Sequence, residues 1–355
     1  MSVCIHLGFL HRGTEKLVET RPSPLCLGFC DRLDYVSMIL LEVCYSLLYE
    51  RSSNLPASDV VVNQRSMAME QTRTLSHCLW MGCACLDIGI MSSIMWCFEL
   101  RERLMDYYER LSGTRQHAWW IRPASIPHDL LQSSSIEAYG CWSSSVFIIS
   151  VLQTSLLTNA SAWSRLVSIG IVTLNQATSL NATGPYLRSC GSFDDERWTR
   201  PYDVFLFLSL TIPIGCYGDC FDRIHLRSFE MKECSRIVVY LSSSFIQGPV
   251  NRDVSMSVSD LLTTSLPSLI DHAKSLVESM LGTYRSTILS SVESPRGSFI
   301  LVSMTLGNTK PQRLYAKGPC VQSLLVSMLT LNGSSLFDLV SILASSDVIL
   351  GETDR

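Results

Sequence analysis

The amino-acid sequence predicts a mainly α fold with small β elements. Two observations carry that expectation. Apolar residues recur at three- and four-residue spacing through most of the chain, which is the period of a helix face. The texture changes only late, where a glycine turn in ESPRGSFILVSMTLG (residues 293–307) opens a β-rich run. With 355 residues the chain can bury a sizeable core, and no internal repeat divides it.

Residues 36–50 read as the first clear helix. Val36, Leu40, Val43 and Leu47 keep the i, i+4, i+7 spacing, while Glu42, Ser46 and Glu50 share another face. NLPASD (54–59) breaks the pattern, and a long helix is expected from Gln64 to Met91. Arg73, His77, Trp80, Ala84 and Asp87 form one stripe along it. Charges on an otherwise apolar helix are costly unless paired or hydrated. The stripe is therefore either structurally paired, with Glu70 against Arg73, or the polar wall of a cavity.

Glu99 to Leu111 reads as a surface helix with Glu99–Arg103 and Asp106–Arg110 as i, i+4 pairs and Ser112-Gly113 as its stop. GTRQHAWWIRPASIPHD (113–129) is an irregular, packed loop that sets Arg115 and His117 beside two tryptophans. A lone histidine of this kind is commonly a hydrogen-bonded core residue. Residues 136–167 are expected to be helical, residues 184–201 a loop, and Tyr202–Pro213 a strand or buried extended segment. An amphipathic helix follows within 215–241, then a surface connection over Gly248–Pro267 and a helix over Ser268–Met280. RLYAKGP (313–319) is placed to pair with the β-rich run as a hairpin, and a last helix lies near Leu336–Leu343.

Composition narrows the function. Hydrophobic residues make up 47% and charged residues 17%, against about a quarter charged in ordinary globular chains. A chain this poor in charge is expected to hide surface against partners. A net charge of -4 gives no footprint for nucleic acid or anionic lipid. None of the fourteen cysteines forms a C-x-x-C pair, so the close thiolates of a zinc ribbon or ferredoxin-type cluster are missing. Most read as small buried hydrophobes in a reducing compartment. Val146–Leu157 falls short of the ~20 residues that cross a bilayer and reads as a buried helix. Walker, G-x-S-x-G, H-E-x-x-H and G-x-G-x-x-G motifs are all missing.

Ten blocks, in order, resemble one family. They are LGFLHRGTEKL (7–17), DRLDYVSM (31–38), LDIGIM (86–91), YERLSGTRQHAWWIRP (108–123), GIVT (170–173), GPYLRSCG (184–191), RPYDVF (200–205), IPIGCYGDCFDR (212–223), ESPRGSF (293–299) and SSDVILGETDR (345–355). Together they look like the hydrogenase-derived large subunit of respiratory complex I, NADH:ubiquinone oxidoreductase. The resemblance implies one domain over residues 1–355, with a helical bundle like that of the nickel–iron hydrogenase large subunit. It also implies that the metal site is lost: hydrogenases hold nickel and iron through two C-x-x-C pairs, whose counterparts here lie around CDRLDY and DVILGE without the pairs.

In that family the vacated pocket is the head of the quinone chamber. The resemblance assigns Tyr35 as hydrogen-bond donor to the quinone headgroup, and a phenol suits that task as a neutral donor. It assigns Asp87 beside it, with Arg73 and His77 as walls of the site. His117 and Arg12 are expected near the terminal iron–sulfur cluster of a neighbouring subunit, where a cation favours the reduced cluster. This chain would bind no metal or cofactor itself. Ubiquinone is the implied substrate, and NAD and the iron–sulfur clusters belong to partner subunits. Implied partners are the iron–sulfur subunit with the terminal cluster, the neighbouring peripheral-arm subunits and the membrane subunit lining the quinone channel. The implied location is the matrix side of the mitochondrial inner membrane, or the cytoplasmic side of a bacterial one. A structural or assembly subunit with degenerate quinone chemistry is the alternative.

Four departures bear on this. The family's H-P-x-x-H-G segment, whose second histidine faces the DRLDY tyrosine, has no counterpart here and is expected on a separate polypeptide, the alternative being an incomplete N-terminus. I-R-P-G-G-V-H-Q-D-L reads IRPASIPHDL, with Pro127 at the histidine position and His128 one place later. The arginine of G-S-R-G-D-C is Tyr217. Many other positions have drifted to Ser, Cys or Leu.

Overall fold

A computed structural model describes residues 2–127, 132–244, 285–307 and 310–355. Its centre is α4 (Asp59–Ile88). The Ser58 hydroxyl accepts a hydrogen bond from Val61 N–H at its start, and Gly89 at φ 97° ends it. The helix therefore begins five residues before the sequence pattern declares it. Two residues later α5 (Met91–Ser112) packs back on α4 as a helical hairpin. α6 (Gln132–Leu157) closes against α5, and α11 (Cys220–Ser243) fills the remaining side by packing on both α4 and α6. This four-helix core buries almost every residue of α4 from Val60 to Ile88.

Smaller helices wrap the bundle. α1 (Thr14–Thr20), α2 (Ser23–Cys30) and α3 (Met38–Ser53) lead in. α7 (Ala160–Leu166), α8 (Leu174–Ser179), α9 (Pro185–Ser189) and α10 (Glu196–Thr199) cross between α6 and α11. A three-stranded antiparallel sheet, β1 (Arg285–Ser294), β2 (Gly297–Leu306) and β3 (Arg313–Lys317), lies against α3. α12 (Cys320–Leu331), α13 (Asp338–Ser346) and α14 (Leu350–Asp354) complete the described chain.

The hairpin of 293–307 with 313–319 forms, with Ile300 opposite Lys317 and Met304 opposite Arg313. A third strand, β1, precedes it and pairs Ser294 with Gly297. Tyr202–Pro213 is not a strand: Asp203–Leu206 is a 3₁₀ turn, followed by irregular backbone. The helical region 136–167 is two helices, because the Asn159 side chain accepts from Ser161 and Ala162 N–H and starts a new one. Glu99–Arg103 pairs at 2.6 Å, but Asp106–Arg110 does not. Arg110 instead reaches Glu137 on α6, and Asp106 meets Arg115 at 3.5 Å. Gly248–Pro267 and Ser268–Met280 lie outside the described residues.

Ile136–Leu157 is the one described helix long and apolar enough to cross a membrane. Its expected burial is partial: Ile148, Ile149, Leu152 and Leu156 are buried, and Phe147 is 67% exposed.

Candidate functional site

Between α2 and α3 the chain makes a tight turn, DRLDYVS. Asp34 builds it. Its Oδ1 accepts from Val36 N–H at 3.1 Å and Ser37 N–H at 3.2 Å, and its Oδ2 accepts from the Ser37 hydroxyl. A short acidic side chain that bonds its own downstream backbone is the usual way to fix such a turn. Asp34 and Ser37 are buried, but Tyr35 between them is 42% exposed.

Asp34 is in turn held by Arg296, at the tip of the β1–β2 hairpin. Arg296 Nη1 donates to Asp34 Oδ2 at 2.8 Å, Nε to the Asp347 carbonyl at 3.0 Å, and Nη2 to Asp347 Oδ1 at 3.2 Å and Ser76 Oγ at 3.1 Å. Burial works against the guanidinium charge, but the Asp34 and Asp347 carboxylates outweigh it and its pKa is raised. One arginine thus ties together DRLDY, the middle of α4 and DVILGE.

The last of these segments comes close to Tyr35. A Cβ on Gly351 would stand 2.9 Å from the Leu33 carbonyl oxygen, 3.2 Å from Tyr35 Cε1 and 3.3 Å from Arg12 Nη2. Only glycine lets α14 approach this closely. Arg12 Nη2 donates to the Arg32 carbonyl at 2.6 Å, so Arg12 and Tyr35 share one corner. The segment before Arg12 is laced to α14, with Gly8 and Leu10 N–H donating to the Asp354 carboxylate at 2.9 and 2.7 Å. Buried Glu352 accepts from Cys320 N–H at 3.0 Å. Burial and the nearby Asp34 charge push its carboxyl up to about 7.

Asp87 is exposed on the last turn of α4. Burial, Asp87 and Asp347 together raise the Cys83 thiol, so Asp87 and Asp347 act on one spot. Trp80 Nε1 donates to the Ala344 carbonyl at 2.8 Å, and Arg223 and Arg227 bond to Ser345. These contacts hold the segment that presents Asp347.

Arg73 and His77 are fully buried. Arg73 Nε lies 3.4 Å from Glu70 Oε1, and its Nη2 donates to the Glu293 carbonyl. His77 Nε2 pairs with Glu230 Oε2 at 2.9 Å. Burial lowers the His77 pKa, with Glu230 acting against it. Around them Arg188 meets Asp195, Glu230 and Glu293, and Arg197 meets Glu70 and Asp195. Of the two readings of the stripe, structural pairing describes the middle of α4, including the Glu70–Arg73 pair.

His117 is half-buried, with Nδ1 3.0 Å from Asp31 Oδ2. Asp31 is raised by burial, against the pull of His117. Next to this pair, Glu42 Oε2 accepts from Trp120 and Ile121 N–H at 3.1 and 2.9 Å and so anchors the loop that carries His117. Burial and the Asp31 charge push the Glu42 carboxyl up to about 8.

Among the described residues no three His, Cys, Asp or Glu side chains gather as a metal site. The corner holds polar groups that can donate and accept hydrogen bonds around an exposed phenol. Sequence patterning alone does not mark Arg296, Asp347 or Glu352 as parts of one site. Their blocks are visible, but contact between residues 34, 296 and 347 is a long-range event that no local spacing encodes.

Comparison with known proteins agrees in one direction. A family model described as "Respiratory-chain NADH dehydrogenase, 49 Kd subunit" matches residues 87–355. The 49 kDa subunit of NADH-ubiquinone oxidoreductase from Prototheca wickerhamii is 35% identical over 99% of this chain and 88% of its own length. An NADH-quinone oxidoreductase subunit from Ehrlichia ruminantium (strain Welgevonden) is 35% identical over 99% of this chain and 90% of its own. A protein of Nephroselmis olivacea named NADH dehydrogenase [ubiquinone] iron-sulfur protein 2 is 34% identical over 99% and 88%. By its matched length and its identity to these relatives, the chain belongs to the 49 kDa subunit family of respiratory-chain NADH dehydrogenase.

Proposed function

We propose that this chain forms the headgroup end of the quinone site in NADH:quinone oxidoreductase, with Tyr35 as hydrogen-bond donor to the quinone. The observation that supports this most is the DRLDY turn: an exposed phenol between two buried, hydrogen-bonded neighbours, on a carboxylate held by a buried arginine. A donor held this way loses little freedom when it meets a headgroup. Asp87 completes the polar rim, and Arg73 and His77 support α4 behind it. Electrons arrive from the terminal iron–sulfur cluster of a neighbouring subunit, on the side of His117 and Arg12. The subunit works at the matrix face of the mitochondrial inner membrane, or the cytoplasmic face of a bacterial membrane. Its partners are the cluster-bearing subunit, other peripheral-arm subunits and a membrane subunit.

Tyr35→Phe in the assembled complex tests this. The expected result is quinone reductase turnover reduced on the order of 10²-fold, with NADH oxidation by an artificial acceptor unchanged. Turnover like that of the parent would remove Tyr35 from the chemistry. The complete burial of Arg73 and His77 favours a second reading, a structural subunit of the same complex. An active complex whose turnover ignores both Tyr35 and Asp87 would establish it.

A further inference from the structure

We propose that Arg296 is a positioning residue for quinone reduction, setting the Tyr35 hydroxyl through the Asp34 carboxylate. The inference rests on the quinone-site reading of Tyr35 and goes beyond it by naming what fixes the donor.

The geometry runs in one direction. Tyr35 has its own ring at the surface, so neighbouring side chains do not pack it into place from all sides. Its backbone is fixed instead by Asp34, which accepts from the two N–H groups that follow Tyr35 and from the Ser37 hydroxyl. Asp34 stays where it is because Arg296 donates to its Oδ2. Arg296 in turn cannot rotate, since its Nε and Nη2 are engaged by Asp347 and Ser76. A planar guanidinium can serve three directions at once, which a lysine ammonium on a flexible stem does poorly.

The chain of contacts also explains where the charge goes. Asp34 and Asp347 bring two carboxylates to one buried guanidinium. Removing the guanidinium would leave the two acids facing each other without a cation, and the turn would reorganise to separate or hydrate them. Tyr35 would move with it.

The test uses the assembled complex with Arg296→Lys, Asp34→Asn, Tyr35→Phe and the double variant Arg296→Lys/Tyr35→Phe. Turnover is read with a short-chain ubiquinone analogue and NADH oxidation with an artificial acceptor. Arg296→Lys and Asp34→Asn are each expected to lower kcat on the order of tenfold, with KM changed less than about threefold, since a misplaced donor is missed in the transition state. The double variant is expected to be no slower than Tyr35→Phe alone, because two residues acting through one group are not additive.

A further tenfold loss in the double variant, or parent-like kcat in both Arg296→Lys and Asp34→Asn, overturns the proposal. A cryo-EM map of either assembled single variant gives a second readout. Displacement of residues 31–37 supports the positioning role, and an unmoved turn overturns it even if activity falls. Should Tyr35→Phe itself keep full turnover, the quinone reading fails, while displacement of the turn in Arg296→Lys still reports on what Arg296 holds.

Discussion

One helix carries two opposite treatments of charge. In its middle, α4 presents Arg73 and His77 to carboxylates in a fully buried network with Arg188, Arg197, Glu70, Asp195, Glu230 and Glu293. At its last turn Asp87 faces outward, and the Asp34–Arg296–Asp347 clamp, joined to α4 through Ser76, holds the turn that exposes Tyr35. The first region pairs its charges with one another inside the core, out of reach of a surface partner. In the second the charges hold a turn, and the group at its apex stays free. A buried ion network specifies how elements meet, and an exposed group on a fixed frame is what a ligand can use.

The largest expected effect lies at Arg188. Arg188→Met leaves Asp195, Glu230 and Glu293 short of their shared cation. The expected cost is about 3–5 kcal/mol, seen as a lower thermal midpoint or less assembled complex. An unchanged midpoint would mean that the network tolerates an uncompensated charge.

A comparable effect, spread over several pH units, lies on the His117 side. Glu42 has its carboxyl at about 8 in the fold against an ordinary 4.5. The folded state therefore keeps a proton that the unfolded chain releases, and stability falls as pH rises through that window and levels off above it. The slope from this one group is about 1.4 kcal/mol for each pH unit. Glu42→Gln is expected to flatten the thermal midpoint of the complex between pH 5 and pH 8 by that contribution. Equal slopes in parent and variant would show that Glu42 does not titrate there.

The smallest effect belongs to the exposed Glu99–Arg103 pair on α5. Glu99→Gln should change stability by less than about 0.5 kcal/mol. A larger loss would place that face in a subunit contact.

Long helices are legible in the sequence because they bury one stripe over many turns, as α5 and α11 show. α1, α2 and α14 are not, being short and carrying too few turns for periodicity to speak. β1 is hidden for another reason: RSTILSSVES sets Ile288 and Leu289 side by side and then two serines, so it lacks the alternation of a half-buried strand. The resemblance supplies Tyr35, Asp87, His117 and Arg12, and the structure sets Tyr35 and Arg12 in one corner. It cannot show that Arg73 and His77 are sealed off, because a charged stripe on a helix looks the same whether water or a carboxylate faces it. Arg296 escapes notice as a partner of Asp34 for want of any local signal across their 262-residue separation.

The lacing of Gly8 and Leu10 to Asp354 joins positions 346 and 344 residues apart. Contacts of such separation are entropically among the last to close. Closing so long a loop costs entropy, and the Tyr35 corner is complete only when α14 is docked with Gly351 against it.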